Sequence, residues 1–335
     1  MKTMQSALRM LSCVILVFST MNCQRNKALS TAESKKIEAA DQTVFVPTLE
    51  TPMDEKKNTV YCSTLLLAWD EFKQKYAGAY TINPTDSVLY KFDKSESYKN
   101  SIQKSEYASS IVDRGNQLSI RTEYHLQLPY VEPFDKSDEP LQFLGTTVSS
   151  FGSGYAGLSN QAKLLYYKDD SEFIVQIQTK DTTQELILMK TDRVFHSMGE
   201  AVYSANDLIL STQQAMLLSP GKDQKINAGD ALFIPKMNFN LFMNFSDLEN
   251  KDIRVRSDDF RTKELLQMIA FKMDEKGVEV QSEARILADK SVMVESPTPK
   301  KLIFNKPFLM FIRKKGVAFP AFAMRVSNAA LMLKI

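Results

Sequence analysis

Residues 268–326 read MIAFKMDEKGVEVQSEARILADKSVMVESPTPKKLIFNKPFLMFIRKKGVAFPAFAMRV, and this stretch decides the fold. An apolar, strand-like run ends at the acidic turn from Asp274 to Gly277, where a glycine can adopt backbone angles that other residues resist. The next residues fall into a small or apolar set and a polar set, namely Val278, Val280, Ser282, Ala284, Ile286 and Ala288 against Glu279, Gln281, Glu283, Arg285 and Asp289. This period of two predicts a half-buried strand.

Two prolines and two further strand-like runs follow this segment. Pro297 and Pro299 have no backbone N–H to donate to a sheet, so they predict irregular chain. The runs LIFNKPFLMFIR and AFPAFAMRV then read as strands that are joined through Gly316. The sequence therefore predicts a potential strand that is held outside any sheet between two real strands.

This arrangement resembles the carboxy-terminal part of the serpin family. The residues from Glu275 to Gly277 are similar to the acidic-glycine hinge that begins the serpin reactive loop, FNKPFLMFIR resembles the closing signature of the family, and AFAMRVSN resembles its last strand. The resemblance is strongest over residues 231–329, which include ALFIPKMNF, similar to a serpin strand with an internal proline-lysine. It implies an α+β fold in which mixed β-sheets are surrounded by helices and carry an exposed reactive loop.

The amino-terminal sequence predicts export and a membrane anchor. Lys2 and Arg9 precede a short apolar run that is typical of a secretory signal peptide, which we place at residues 1–22. Cys23 follows a stretch that resembles a bacterial lipoprotein cleavage site and would become the lipidated first residue; ordinary signal cleavage nearby is the alternative. Residues 23–57 are mostly polar and predict a tether. The expected location is extracytoplasmic, either secreted or lipid-anchored to a bacterial membrane.

Residues 58–335 are predicted to form the serpin-like domain. Leu65, Trp69 and Phe72 recur at helical spacing and predict a helix over 63–76, and helices are also predicted over 86–92 and 96–112. Strands are predicted over 117–128, 265–273 and, as a meander, over 162–189. The interval from 77 to 121 is shorter than in the family, which implies a fold truncated in the helices before the central strand.

The resemblance also implies where the main sheet would open. Asn58 and Cys62 correspond to the start of the helix under the centre of that sheet, where Cys62 and Ser63 replace the Ser-Pro common in the family. Thr122 stands where an asparagine is common, and Gln267 lies on the neighbouring strand. We therefore expect Asn58, Cys62, Thr122 and Gln267 to form the sheet-opening region.

Composition and motifs argue against an enzyme, a metal site, a cofactor or a nucleic-acid partner. The 335 residues carry a formal charge of +2, too close to balance for a nucleic-acid binder. His125 and His196 are far apart in sequence, no nucleophile has a credible histidine partner, and Cys62 is the one cysteine expected in the mature body of the chain. Gly152, Gly154 and Gly157 form a GxGxxG, but strands rather than a helix are predicted after it, so a glycine-rich strand connection is favoured.

Three functional hypotheses follow from the resemblance. In the first, a monomeric, membrane-tethered inhibitor of a serine or cysteine protease has a hinge at Glu275, Gly277, Val278, Glu279 and Val280, and inserts its cut loop into the main sheet. Counting along the family's loop places the scissile bond at Lys290–Ser291, which suits a trypsin-like enzyme, while Met293 and its neighbours remain an alternative. In the second, a non-inhibitory serpin-fold lipoprotein serves as a binding or structural module. In the third, a surface-binding lipoprotein keeps only the sheet scaffold.

Overall fold

The structure, a computed structural model, describes residues 39–335 apart from 77–78, 125, 138–139, 155–156, 219–223, 257 and 280–298. The predicted signal peptide, the lipidation site Cys23, the hinge residue Val280 and the candidate scissile bond Lys290–Ser291 lie outside the described residues. Within the described part, the α-helices are α1 (Ala39–Gln42), α2 (Thr64–Tyr76), α3 (Ser87–Lys94), α4 (Leu158–Gln161) and α5 (Met198–Leu218). None of these helices has both the length and the apolar character that crossing a bilayer requires.

The strands outnumber the helices and are mostly short. In chain order they are β1 (Thr43–Val46), β2 (Asn58–Cys62), β3 (Tyr80–Ile82), β4 (Tyr107–Arg114), β5 (Gln117–Tyr124), β6 (Gln127–Pro129), β7 (Asp135–Lys136), β8 (Leu141–Phe143), β9 (Thr146–Val148), β10 (Ser150–Ser153), β11 (Ala162–Asp169), β12 (Glu172–Ile177), β13 (Gln184–Lys190), β14 (Ala231–Pro235), β15 (Met237–Asn244), β16 (Asp252–Val255), β17 (Asp258–Asp274), β18 (Gly277–Glu279), β19 (Lys301–Ile303), β20 (Phe308–Lys314) and β21 (Phe322–Val326). The expected α+β class with mixed sheets is confirmed.

The long strand β17 organises the main sheet. One edge of β17 pairs with β16 and then with β15, both antiparallel. Its other edge pairs with β5 in parallel and then with β18 antiparallel, and β4 extends the sheet beyond β5. Alternate residues of β17, such as Ile269, Phe271 and Met273, are buried, which is the period expected when one face of a strand covers the core. The strand predicted over 265–273 is therefore confirmed and is longer than predicted.

A seven-stranded second sheet lies behind the main sheet. Its strand order is β1-β2-β21-β20-β13-β12-β11, which includes the predicted meander of β11, β12 and β13. The ring of Phe322 on β21 stacks on Phe271 of the main sheet at a centroid distance of 5.2 Å. The two inner faces thus meet through aromatic side chains, and this contact layer is the hydrophobic core. A smaller sheet, in the order β19-β14-β10-β7, closes one end.

Helix α2 forms where the apolar spacing predicts it. Leu65, Leu66, Trp69 and Phe72 are all buried on one side, and the helix packs on β5 and β17 of the main sheet. The helix predicted from residue 86 is also present as α3, whose first turn is capped because the side chain of Asp86 accepts a hydrogen bond from the backbone N–H of Leu89. These two local predictions are confirmed.

The helix predicted over residues 96–112 is wrong: residues 107–112 belong to the strand β4, and the residues before them form turns, bends and a short 3-10 helix at Lys104–Glu106. Gly115 and Asn116 join β4 to β5 as a two-residue turn with φ angles of 56° and 61°. Such a turn favours a hairpin, since its twist matches that of the flanking strands. Ile111 faces inward by the period of two, and the helical spacing assigned to it was coincidental.

The predicted tether boundary at residue 57 also differs from the structure. Strand β1 pairs in parallel with β2, and the side chains of Phe45, Val46 and Leu49 are buried. The compact unit therefore extends to Glu38, and residues 43–57 belong to its packed body. Gly152, by contrast, agrees with the predicted strand connection: it lies in β10, where a Cβ atom would come within 1.9 Å of the backbone oxygen of Leu232.

Candidate functional site at the fork of the main sheet

The main sheet divides at one point, which we call the fork and define by residues 124–126 and 269–271. Below the fork, β5 and β17 are direct parallel neighbours, with Thr122 opposite Gln267 and Glu123 opposite Met268. Above the fork, β18 lies between β17 and β6 and is antiparallel to both. The predicted hinge segment thus begins as β18, a central strand of the sheet. For more of the segment to insert, β17 and β5, which pair directly below the fork, would have to separate.

The strand register does not change across the fork. Below it, Gln267 pairs with Thr122. Five residues later in each strand, Lys272 and Gln127 both pair with Glu279 of β18. The two strands that flank β18 therefore keep the same alignment below the fork as above it. A strand that continues β18 between β17 and β5 needs no shift or bulge to pair with both of them.

The hinge turn is fixed by backbone hydrogen bonds and by close packing. The backbone N–H of Tyr130 donates to the oxygen of Lys276 at 3.0 Å, and that of Phe134 donates to the oxygen of Glu275 at 2.8 Å. A Cβ atom at Gly277 would lie 2.6 Å from the backbone oxygen of Leu128, so only glycine fits this close approach of two strands. Val278 follows with 2% of its surface exposed, on the inward side that the alternation predicts.

An ion pair holds the hinge to the smaller sheet. The ammonium of Lys236 donates to the carboxylate of Glu275 at 2.6 Å, and Lys136 approaches the other oxygen at 3.8 Å. Burial alone would raise the pKa of Glu275, but the hydrogen bond and charge of Lys236 outweigh that effect and hold the pKa below its ordinary value. Glu275 is therefore ionised at neutral pH and stabilises the turn in that form.

A buried polar group, which we call the seam cluster, joins β5 to β17 below the fork. It comprises Cys62, Thr64, Thr122 and Gln267, each with at most 1% of its surface exposed. The hydroxyl of Thr64 donates to the hydroxyl of Thr122 at 3.2 Å and accepts from the side-chain amide of Gln267 at 2.8 Å. Gln267 also donates to the backbone oxygen of Cys62. One threonine at the start of α2 thus links the two strands that must part if the sheet opens.

The thiol of Cys62 is a structural member of this cluster. Desolvation raises its pKa to about 11, because the fully buried side chain has no solvent to stabilise a thiolate. The thiol therefore stays protonated at neutral pH, and only the thiolate is a good nucleophile. The arrangement around Cys62 suits packing and hydrogen bonding rather than covalent chemistry.

The structure brings together three of the four predicted sheet-opening residues. Cys62, Thr122 and Gln267 meet in the seam cluster, whereas the side chain of Asn58 binds the chain after β21. There its amide donates to Asn328, and its oxygen accepts from the backbone N–H groups of Ser327 and Asn328. Sequence reasoning missed Thr64, although its position as the second residue of the helix predicted over 63–76, two residues after Cys62, was an available signal.

Comparison with known proteins gives structural matches alone. No family model and no curated protein matches the chain. Similar solved structures include a serpin from the insect Tenebrio molitor (15% identity, TM-score 0.38) and a serpin from the trematode Schistosoma haematobium (15%, 0.39), each match covering 63% of this chain and 56% of the other. The mouse protein-Z-dependent protease inhibitor matches at 13% identity and a TM-score of 0.42, over 63% of this chain and 55% of the other. The match thus spans just over half of each of these three chains.

Proposed function

We propose that the chain is a serpin-type inhibitor of a serine or cysteine protease, exported and anchored to a membrane, which acts as a suicide substrate. The observation that carries this proposal is the position of β18, which lies between β17 and β6 and is antiparallel to both. A protease inhibitor of this type needs a segment that can become a new central strand. Here the first three residues of that segment already occupy such a place.

The continuous register supports insertion of the rest of the loop after cleavage. In that register Val280 would lie opposite Phe271 and Leu126, and Ala284 would lie opposite Gln267 and Thr122, so the inward positions would receive the small or apolar side chains of the loop. Each backbone hydrogen bond gained contributes about 0.5–1.5 kcal/mol. Burying a valine or isoleucine contributes about 1.5–3 kcal/mol. An acylated protease attached to the cut end would be carried along with the strand and distorted.

Opening the main sheet would require breaking the hydrogen bonds of the seam cluster, which costs free energy. The separation of β5 from β17 must break the hydrogen bonds of Thr64 at the step that admits Ala284. Buried polar groups left without partners cost about 1–3 kcal/mol. That cost applies to each group left unpaired, while burying Val280 and Ile286 together contributes about 3–6 kcal/mol and the new backbone hydrogen bonds add to this gain. We therefore expect the cluster to act mainly on the rate of insertion past the fork.

The chemistry of the loop and of the amino terminus completes the proposal. Lys290–Ser291 is the proposed scissile bond, because a basic residue before the cut suits a trypsin-like target. Cys23 is the proposed lipidated residue that holds the protein on the outer side of a bacterial membrane. Replacement of Cys23 by alanine should abolish both incorporation of labelled fatty acid and recovery in the membrane fraction; lipid labelling that persists would assign the anchor to another residue.

A non-inhibitory serpin-fold protein is the second candidate. The observation that favours it is that Gly277–Glu279 already fills the top of the gap, which removes part of the driving force that an empty gap would supply. Outward-facing Glu283 and Arg285 would also have to settle beside charged Glu123 and Arg121 in the continued register. Slow insertion lets the protease complete hydrolysis, and the protein then behaves as a substrate.

A denaturing gel after incubation with a panel of serine and cysteine proteases tests the first candidate against the second. A covalent adduct that survives denaturation is the expected result, and cleavage without any adduct across the panel would favour the non-inhibitory protein. Two matched loop variants sharpen the test. Ser282→Arg places a charge on the inward side and should convert inhibition into cleavage, because an unpaired buried charge is costly. Gln281→Arg places the same charge on the outward side and should leave adduct formation intact.

A further inference from the structure

A cavity of about 200 Å³ lies at one end of the second sheet. Three of its lining residues mark this place: Thr191 directly follows β13, Pro307 directly precedes β20, and Arg325 lies near the end of β21. The three strands are neighbours in the sheet order, so these residues meet at the same end of it. Cavities of about 150 Å³ hold benzene in protein interiors, so this one has room for a small organic molecule.

Arg325 reaches the cavity from the face of the second sheet that points away from the main sheet. The ring of Phe322 stacks on the main sheet, and side chains alternate along a strand, so Arg325, three residues later, points to the other side. Its backbone lies between Thr59 of β2 and Leu309 of β20, to both of which it is paired. The guanidinium group is therefore carried into the cavity by a central strand whose position is fixed.

The guanidinium group of Arg325 is a buried charge that lacks a protein partner. Its Nη1 atom is buried and has no hydrogen-bond partner among the described residues. Burial lowers the pKa of Arg325 to about 10, and the nearby charges of Asp192 and Glu55 offset this effect only in part. The side chain thus remains a cation at neutral pH. Buried polar groups in native proteins are almost always hydrogen-bonded, so Nη1 calls for an acceptor that the described residues do not supply.

The other charged side chains around the cavity differ in whether they are already paired. Arg193 lines the cavity, but its guanidinium group lies 2.9 Å from the carboxylate of Glu172. The carboxylate of Asp192 lies 3.5 Å from the ammonium of Lys306. Glu55 is exposed at the rim, and it takes part in no hydrogen bond or ion pair within the described part of the chain. The cavity thus presents an unpaired cation from β21 and an unpaired carboxylate at its rim.

Much of the remaining wall is apolar. It includes the side chains of Met53, Phe195 and Pro307. The backbone N–H of Met53 donates to the oxygen of His196 at 2.9 Å, which joins the connection between β1 and β2 to the segment after β13. An inorganic anion would leave this apolar wall without contacts, and it would meet the rim carboxylates with no positive group of its own. A small zwitterion with an apolar body complements the wall and both charges.

We propose that this cavity binds a free apolar α-amino acid of about the size of leucine. The ligand carboxylate accepts from the guanidinium group of Arg325, its ammonium pairs with Glu55, and its side chain packs on Met53, Phe195 and Pro307. Hydrogen bonds between a guanidinium group and a carboxylate are charge-assisted and well matched in geometry. This inference goes beyond the proposed inhibitor function and does not depend on loop insertion, because the lining residues belong neither to the main sheet nor to the reactive segment.

Isothermal titration calorimetry of the full chain with L-leucine and two truncated analogues tests the class of ligand. L-Leucine should bind with a dissociation constant of about 1 mM or below. 4-Methylpentanoate lacks the ammonium and should bind about two- to fivefold more weakly, since ion pairs at a surface contribute little. 3-Methylbutylamine lacks the carboxylate and should bind about a hundredfold more weakly. No binding of leucine, isoleucine, methionine or phenylalanine would overturn the proposal, and so would binding of inorganic phosphate or chloride alone.

Two arginine variants that line the same cavity locate the site. Arg325→Met removes the charge and should weaken leucine binding about a hundredfold. Arg193→Met is the matched control, because Arg193 is already paired with Glu172, and it should change the affinity by less than about twofold. Unchanged affinity in Arg325→Met would contradict the proposal. If that variant does not fold, the two analogues on the wild-type protein still decide whether the carboxylate is recognised.

A rim variant and a thermal melt separate recognition from stability. Glu55→Gln should weaken leucine binding about two- to fivefold and leave the affinity for 4-methylpentanoate unchanged. An equal loss for both ligands would show that Glu55 does not bind the ammonium. In the absence of ligand, Arg325→Met should melt at the wild-type temperature or above it, because it removes a buried charge that no described group pairs. A markedly lower melting temperature would mean that the protein itself engages this guanidinium group, which contradicts the inference.

Discussion

The two halves of β17 have different neighbours on the same edge. The half below the fork pairs with β5, and the half above it pairs with β18. Below the fork, β5 lies directly against β17, and the buried side chains of the seam cluster join the two strands. Above the fork, β18 lies between β17 and β6, and the joint depends on backbone pairing, on Gly277 and on an ion pair at the surface of the core. The register is common to both halves, so side chains rather than backbone geometry distinguish them.

The largest expected change in the free energy of unfolding comes from a substitution above the fork. Gly277→Val would place its Cβ atom within 2.6 Å of the backbone oxygen of Leu128 and 2.8 Å of the Cα atom of Pro129. Backbone obstacles of this kind cannot rotate away, so we expect a loss of about 3 kcal/mol in the free energy of unfolding. Denaturant unfolding measures it.

Gly157→Ala is the control for that substitution. No atom of the described residues lies within 4 Å of the Cβ atom that alanine would add, and the φ of −80° at Gly157 is ordinary for alanine, so stability should change little. If Gly277→Val is as stable as Gly157→Ala, β18 does not lie between β17 and β6 in solution, and the contrast between the two halves of the sheet disappears.

The next largest change in the free energy of unfolding is expected from a substitution in the seam cluster below the fork. Thr64→Val keeps the shape of the side chain but removes the hydroxyl that links Gln267 and Thr122, and it should reduce the free energy of unfolding by about 1–3 kcal/mol. The same variant should open the sheet more readily, so a cut loop should insert faster. Thermal unfolding before and after loop cleavage gives both quantities.

A matched threonine controls for loss of a buried hydroxyl. Thr59 is fully buried, and its hydroxyl has no hydrogen-bond partner within the part of the chain that the structure describes, so Thr59→Val should be neutral or stabilising. Equal destabilisation by Thr64→Val and Thr59→Val would mean that the seam cluster does not close the lower half.

A smaller effect is expected at the hinge ion pair, and it should depend on pH. Because the pKa of Glu275 lies below its ordinary 4.5 in the folded protein, its ionised form stabilises the fold fully above that pH, and the contribution falls as the pH drops through the folded value. Glu275→Gln should therefore cost about 1 kcal/mol near neutral pH, and the difference from wild type should disappear once acid protonates Glu275 in the folded protein. A difference that persists unchanged in acid would assign the effect to packing rather than charge.

The smallest effect concerns the exposed pair that crosses the lower half. Arg121 and Glu264 lie 2.9 Å apart on β5 and β17, but the side chain of Arg121 is 64% exposed. Arg121→Gln should change the free energy of unfolding by at most about 0.5 kcal/mol, and less in high salt. A larger loss would show that surface charge, and not the buried cluster, holds β5 to β17.

Local patterns predicted the parts of the molecule whose structure depends on nearby residues. The start of β18 after Gly277, the apolar spacing of α2 and the meander of β11 to β13 each carry their own signal in sequence, while the alternation predicted beyond Glu279 lies outside the described residues. The turn that ends at Gly277 was predicted in the same way, because its acidic residues and the glycine are adjacent, whereas its role as a hinge stays a prediction.

The missed features depend on distant partners. Strand β4 was predicted as helix because its pairing with β5 decides its state, and β1 was assigned to a tether because only its contact with β2 buries Phe45. The seam cluster joins residues about 60 and 200 positions apart, and no spacing rule connects Thr64 to both Thr122 and Gln267.

Strand β4 forms an outer edge of the main sheet, and among the described residues no strand pairs with its far side. Three of its four exposed residues, Ala108, Ser110 and Val112, are uncharged, and Arg114 at the end of the strand carries the one charge on that face, so it repels a strand from another molecule only weakly. We therefore expect the protein to self-associate through β4 at high protein concentration. Ser110→Lys is the simplest substitution that should prevent this association.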